Sequence, residues 1–228
     1  SHLGIKITYK IQNKPEGIAQ AFIIAQDFIG SDSVTLILGD NIFYGAGQFN
    51  KAFADHEVGA MVFAYRVNDP TRYGVVEFGN DGEAISIEEK PKLPKSSYAV
   101  PGLYMFDSRV TEYAKKLKPS ARGELEITDL IARYLEVGQL NVQVLRRGVA
   151  WLDSGTSQSL HESAAFVQTM EKRQGIKMGC PEEAALTAGL ISLAEFDRAL
   201  DGLPDCEYKD YLREISTENY RLSQQSLS

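Results

Sequence analysis

The chain has 228 residues, enough for one large domain, and 43% of them are apolar, which supplies a sizeable core. Its formal net charge is −7, and an acidic surface argues against DNA or RNA as a partner, because phosphate backbones need a basic face. No apolar run reaches transmembrane length and no signal peptide opens the chain, so a cytoplasmic protein without a membrane partner is expected.

Residues Ile5 to Gln12 (IKITYKIQ) alternate apolar and polar and predict a half-buried strand. After the Pro15-Glu16-Gly17 turn, Ile18 to Phe28 carries apolar residues at helical spacing and stops at Gly30. Val34 to Leu38 (VTLIL) reads as a strand buried on both faces of a parallel sheet, ending at Gly39-Asp40-Asn41. A helix at Phe49 to His56 and a buried strand at Ala60 to Arg66 follow. This alternation is that of an α/β sheet with right-handed crossovers.

Strands are then expected at Tyr73 to Phe78, Ala84 to Glu89 and Tyr98 to Phe106, the first two joined by the hairpin turn Asn80-Asp81-Gly82. Helices resume at Ser108 to Leu117 and Ile127 to Gly138, with a strand at Val142 to Leu145 and a long helix at Ser157 to Gln174. Beyond Pro181 the pattern is helical at 182–188, 193–200 and 208–215, and the polar tail from Ser216 is expected to fray.

Ligands of open α/β sheets sit beyond the carboxyl ends of strands, and Asp40 stands at such an end. Magnesium takes few protein carboxylates, leaving room for water and phosphate oxygens, so Asp40 and Asp153 are candidate ligands. Each reads equally as a turn or helix cap. Glu89 and Lys90, fixed in an extended stretch by Pro91, suit sugar hydroxyls and a phosphate, or form a solvated charged turn. Arg122 and Glu124 offer the same pair of chemistries, or lead into a helix whose first turn favours acids. The three histidines have no metal or triad spacing. No HExxH, GxSxG, Walker GxxxxGK or GxGxxG is present. Cys180 and Cys206 are expected as free thiols, a disulfide being the alternative.

The stretches QNKPEGIAQAF, LILGDNIFYG, YGVVEF, EEKP, VPGLYMFD, RGELEITDL and AWLDSGT together resemble the glucose-1-phosphate thymidylyltransferases. MEKRQG followed by CPEEAA also matches, and the resemblance runs from residue 3 to about 215. It implies a Rossmann-like mixed sheet flanked by helices, over residues 1–180, and a C-terminal helical segment at 181–228 that serves as an oligomer contact. It implies Mg2+ held by Asp40 and Asp153, and the base of dTTP read by Gln12 and Gly17. The glucose of glucose 1-phosphate falls to Gly74, Glu89, Val100, Tyr104 and Glu124, and its phosphate to Lys90 and Arg122. A cytoplasmic homotetramer and in-line attack on the α-phosphorus, releasing pyrophosphate, follow from the same likeness.

Two departures stand out. The family's glycine-rich GGxGTRL loop and the catalytic lysine after it are not in these residues, which reads as a chain cut at its N-terminus; a polypeptide that truly began at Ser1 would lack a central strand, with weak stability and little or no turnover expected. Thr187 stands where the family usually carries an arginine of a regulatory nucleotide site. Uridylyl or adenylyl transfer, and a binding protein without catalysis, are the alternative readings.

Overall fold

The computed structural model describes residues 2–45, 47–56 and 58–225. It divides into two compact units, one of residues Lys10–Ser163 and one of Ser1–Tyr9 with Ala164–Ser228.

The larger unit is built on β1 (Val34–Ile37), β3 (Ala60–Arg66), β4 (Gly74–Phe78), β5 (Ala84–Glu89), β6 (Tyr98–Ala99), β7 (Leu103–Phe106) and β8 (Leu140–Val144). Among the described residues they form one mixed sheet in the order β1-β7-β3-β6-β4-β5, with β8 also pairing β3. Only β3 and β8 run parallel; the other pairs are antiparallel. A separate antiparallel ribbon joins β2 (Asn41–Tyr44) to β9 (Ala150–Asp153), with Asn41 opposite Asp153.

Side chains of successive strand residues point to opposite faces. In β3, Val62 enters one core while Met61 and Phe63 enter the other. In β7, Tyr104 and Phe106 face the first and Leu103 and Met105 the second. Both faces are therefore covered, and AMVFAY and LYMF read as unbroken apolar runs. The helices α1 (Gln20–Ile24), α4 (Val110–Lys116) and α5 (Ile127–Glu136) supply Phe22, Val110, Leu130 and Tyr134 to the first face. Helix α3 (Gly47–Asp55) supplies Phe49 and Ala52 to the second. Phe22 meets Phe106 edge to face at 5.2 Å, and burial of each ring contributes about 1.5–3 kcal/mol.

Several expectations are corrected. Residues 5–12 form no strand, and Ile7 and Tyr9 are 50% and 85% exposed. Alternation makes a strand amphipathic, but a strand also needs a ladder with a neighbouring strand, and none of the strand pairings among the described residues runs through this segment. β1 lies at the sheet edge, antiparallel to β7, with Ile37 58% exposed, so it is neither parallel nor buried on both faces. A short apolar run fits an edge as well as a centre. The helix expected at 18–28 is two, α1 and α2 (Gln26–Ile29), broken at Ala25.

The strand expected at 98–106 is also two. Pro101 removes a ladder donor, and Gly102 passes so close to Leu38 that a Cβ there would stand 2.8 Å from it. The break at 100–102 opens the cleft described below.

In the smaller unit, α7 (Pro181–Thr187), α8 (Leu193–Asp201) and α9 (Glu207–Gln225) close around Phe196 and Leu212. Helix α6 (Ser157–Gln174) begins in the larger unit and continues into this one. Ser192 and Glu195 form a reciprocal capping box at the start of α8. Of the tail expected to fray, 226–228 lie outside the described residues and residues 216–225 do not fray. They continue α9 to Gln225, and the buried Ser216 hydroxyl donates to Asp197 at 2.7 Å. Cys180, buried, and Cys206, exposed, are free thiols.

Candidate active site

A cleft of about 160 Å³ opens in the larger unit, lined by Asp40, Asp153, Gly74, Glu89, Lys90, Val100 and Tyr104, among others. Seven of the residues singled out in the sequence thus share one cavity, although they are scattered over more than 110 positions.

The two aspartates meet through the β2–β9 ribbon. Asp40 immediately precedes β2 and Asp153 ends β9, and the Ser154 N–H donates to the Asp40 carbonyl at 2.8 Å. Gly155 lies between the carboxylates. A Cβ added there would stand 3.1 Å from Asp153 Oδ1 and 3.3 Å from Asp40 Oδ2. Both side chains therefore flank the same small space; the helix-cap alternative fails for Asp40, whose following residues form a strand, while the turn alternative holds, since Asp40 lies in a turn closed by the Asn41 N–H on the Leu38 carbonyl at 3.1 Å.

The orientation of each carboxylate is set by neighbours. Asn41 Nδ2 donates to Asp40 Oδ1 at 2.7 Å, while its Oδ1 accepts from the Gly102 N–H at 2.9 Å and from Trp151 Nε1 at 2.7 Å. Asp153 Oδ1 accepts from the Gly155 N–H at 3.1 Å, and Arg72 stands 3.8 Å from Oδ2. Burial first, then the Asp153 charge, pushes the nearby Tyr73 phenol's pKa up. Two convergent carboxylates with open space between them fit Mg2+, which keeps waters and phosphate oxygens on its other positions. Among the described residues no group of three or more His, Cys, Asp or Glu forms a fuller metal cage.

The other end of the cleft carries Glu89 and Lys90, and a charged cluster reaches from Glu89 to Arg122 and Glu124, which lie outside the lining. Glu89 Oε1 lies 3.7 Å from Lys90 Nζ and 3.6 Å from Arg122, and its Oε2 accepts from Thr128 Oγ1 at 3.1 Å. Burial pushes the Glu89 carboxyl up. The Thr128 bond opposes that, Glu126 adds to it, and Lys90 and Arg122 oppose it further. Glu124 meets Arg122 at 3.0 Å. Tyr104 forms the buried floor, its phenol pushed up by burial and then by Glu89 and Asp40. Gly74, opposite Glu89 in the ladder, leaves the cleft open: a Cβ there would stand 2.6 Å from Thr128.

Lys90 is not extended as expected. Its φ is 44°, a left-handed conformation that a residue before proline seldom takes, and its N–H donates to the Tyr73 carbonyl at 3.0 Å. Pro91 and that hydrogen bond hold the turn that aims the ammonium back toward Glu89.

Gln12 and Gly17 come together outside this lining. Gln12 Nε2 donates to the Gly17 carbonyl at 3.2 Å and to Gln20 at 2.6 Å, and Gln20 reaches Glu16 at 2.6 Å. Gly17, at φ 103°, lies against the Leu125 backbone, where a Cβ would be 2.3 Å from the carbonyl oxygen. Sequence reasoning passed over Asn41, Arg72, Tyr73, Glu126, Thr128 and Trp151. All but Arg72 lie inside the motifs quoted above, so the signal was present there; Arg72 carried none.

The cleft of this mixed α/β sheet thus brings two carboxylates, Asp40 and Asp153, together with Glu89 and Lys90, and Arg122 meets Glu89 from beyond the lining. The chain belongs to the nucleotidyl transferase family, whose model matches residues 1–170. It is 53% identical over 214 residues to a glucose-1-phosphate thymidylyltransferase of Neisseria meningitidis, covering 93% of this chain and 74% of that protein. A Mycobacterium tuberculosis protein of the same name is 51% identical over 220 residues, with 96% and 76% covered. The crystal structure of a "putative glucose-1-phosphate thymidylyltransferase" of Bacillus anthracis in complex with sucrose superposes with a TM-score of 0.67 at 44% identity, over 79% of this chain and 70% of that one. A UDP-glucose pyrophosphorylase bound to UDP-glucose shares the fold alone, at 20% identity and a TM-score of 0.61.

Proposed function

We propose that the chain transfers a thymidylyl group from dTTP to α-D-glucose 1-phosphate, giving dTDP-glucose and pyrophosphate. The observation that carries this reading is that Asp40 and Asp153 face the same cleft as Glu89 and Lys90. One end holds the ligands of a divalent ion, and the other holds a sugar-hydroxyl acceptor next to a cation. The relatives named for this activity support it over 93% of the chain.

In this reading Asp40 and Asp153 hold Mg2+, which supplies charge neutralisation to the phosphate oxygens. Lys90 and Arg122 grip the phosphate of the sugar, Lys90 as a point charge and Arg122 as a fork. Glu89 and Glu124 accept bonds from glucose hydroxyls, while Gly74, Val100 and Tyr104 shape the sugar pocket. Gln12, anchored on Gly17, reads the thymine. A sugar-phosphate oxygen attacks the α-phosphorus in line and pyrophosphate leaves. Such a transfer needs alignment and charge stabilisation rather than a protein nucleophile. The segment 181–228 is the expected contact of a cytoplasmic homotetramer.

The test is pyrophosphate release from dTTP, UTP and ATP with glucose 1-phosphate and Mg2+, beside calorimetric binding of dTDP-glucose. Release from dTTP alone, abolished in Asp40→Asn and Asp153→Asn with the fold retained, is expected. Equal use of UTP or ATP would overturn the thymidylyl assignment. Binding without release would favour a sugar-nucleotide-binding role.

A further inference from the structure

Glu126 is a buried carboxylate, only 8% of its side chain exposed, that none of the roles above uses. It occupies the N-cap position of α5, yet its side chain makes no hydrogen bond to the helix amides. Glutamate is also not among the side chains that cap well. Something other than the helix must offset the cost of burying it.

The partners lie on the turn that carries Arg122. Ser120 Oγ donates to Glu126 Oε1 at 2.7 Å, and the same oxygen lies 3.7 Å from Arg122 Nη1. The turn is closed by backbone bonds, Ser120 N–H to the Glu124 carbonyl at 2.8 Å and Gly123 N–H to the Ser120 carbonyl at 2.9 Å. The Arg122 N–H donates to Ser120 Oγ at 3.1 Å. Ser120 thus ties the Arg122 backbone to Glu126, while Glu126 faces the guanidinium directly.

Three carboxylates surround Arg122: Glu124 at 3.0 Å, Glu89 at 3.6 Å and Glu126 at 3.7 Å. Glu89 and Glu124 are the two that the functional reading commits to sugar hydroxyls. When they turn to a sugar, Arg122 keeps one anionic anchor, and it is the buried one. We infer that Glu126 is the positioning residue for Arg122. It fixes the guanidinium toward the phosphate of the sugar while Glu89 and Glu124 are occupied by the hexose. This rests on the proposed function and adds a residue to it.

Glu126→Gln keeps the shape and the acceptor for Ser120 but removes the charge. The expected result is a roughly tenfold weaker calorimetric affinity for dTDP-glucose and a roughly tenfold higher KM for glucose 1-phosphate, the scale of one charge-assisted contact. The affinity and KM for dTTP should not move, and Glu126→Asp should restore part of the loss. Unchanged dTDP-glucose binding in Glu126→Gln, or an equal loss for dTTP, would overturn the inference. Should Glu126→Gln fail to fold, Ser120→Ala loosens the same turn from outside the core, and normal sugar-nucleotide affinity in it would be equally fatal. If the unaltered protein binds no dTDP-glucose, the functional reading itself falls, and this inference with it.

Discussion

Trp151 donates its indole N–H to the side-chain oxygen of Asn41 at 2.7 Å, across the paired strands β2 and β9. Because the Gly102 N–H occupies the same oxygen, the Asn41 amide has one orientation, and its NH2 group faces Asp40. The sheet break at Gly102, the ribbon and a candidate metal ligand are joined through one side chain. Asn41→Leu leaves two donors unsatisfied in a partly buried site and should cost about 2–4 kcal/mol in urea unfolding. Trp151→Phe removes one donor only, and a loss of about 1 kcal/mol is expected. Equal stabilities in the two variants would contradict this arrangement.

Arg72 competes with any cation for Asp153. It lies 3.8 Å from Oδ2, steadied over the Tyr73 ring at 5.7 Å. A unit charge at that distance near water is worth about 1 kcal/mol, or roughly fivefold in affinity. Arg72→Gln should therefore bind Mn2+ more tightly, by up to roughly fivefold, when free Mn2+ is measured by paramagnetic resonance. A weaker affinity would mean that Arg72 acts only to hold Asp153 in place.

Glu89 sets a pH dependence of stability. Its carboxyl is raised in the fold, chiefly by burial, so the folded state binds the proton more tightly than the unfolded chain does. The stability it contributes is complete below the ordinary carboxylate range and is lost as pH rises through the elevated value. Thermal midpoints of Glu89→Gln, relative to the unaltered protein, should therefore climb between about pH 4 and pH 7. A flat difference across that window would mean the group titrates normally.

Gly17 tolerates no side chain. Its φ of 103° and the 2.3 Å approach to the Leu125 oxygen leave no room, and the neighbouring bonds from Leu125 N–H to Glu16 and from Ala19 N–H to Leu125 depend on that approach. Gly17→Ala should destabilise the fold by about 1–3 kcal/mol and displace Gln12. Calorimetry should then show a weaker affinity for dTTP, while the smaller unit keeps its unfolding behaviour.

The sequence by itself determined a great deal here. The elements β3, β4, β5 and α5 were legible because the unbroken apolar run of β3, the Asn80-Asp81-Gly82 turn between β4 and β5 and the apolar spacing of α5 are local signals that survive in any packing. Asp40, Asp153, Glu89 and Lys90 were legible as candidates because ordered motifs name residue types at fixed positions. Tertiary structure decided what local pattern cannot encode. Whether the 5–12 segment becomes a strand, and whether β1 lies at a centre or an edge, depends on hydrogen-bonding neighbours distant in sequence. The same holds for the Asp pair: either aspartate alone fits a cap, and only the β2–β9 pairing brings both beside Gly155. Arg72 and Glu126 acquire meaning in the same way, because electrostatic partnership depends on separation in space.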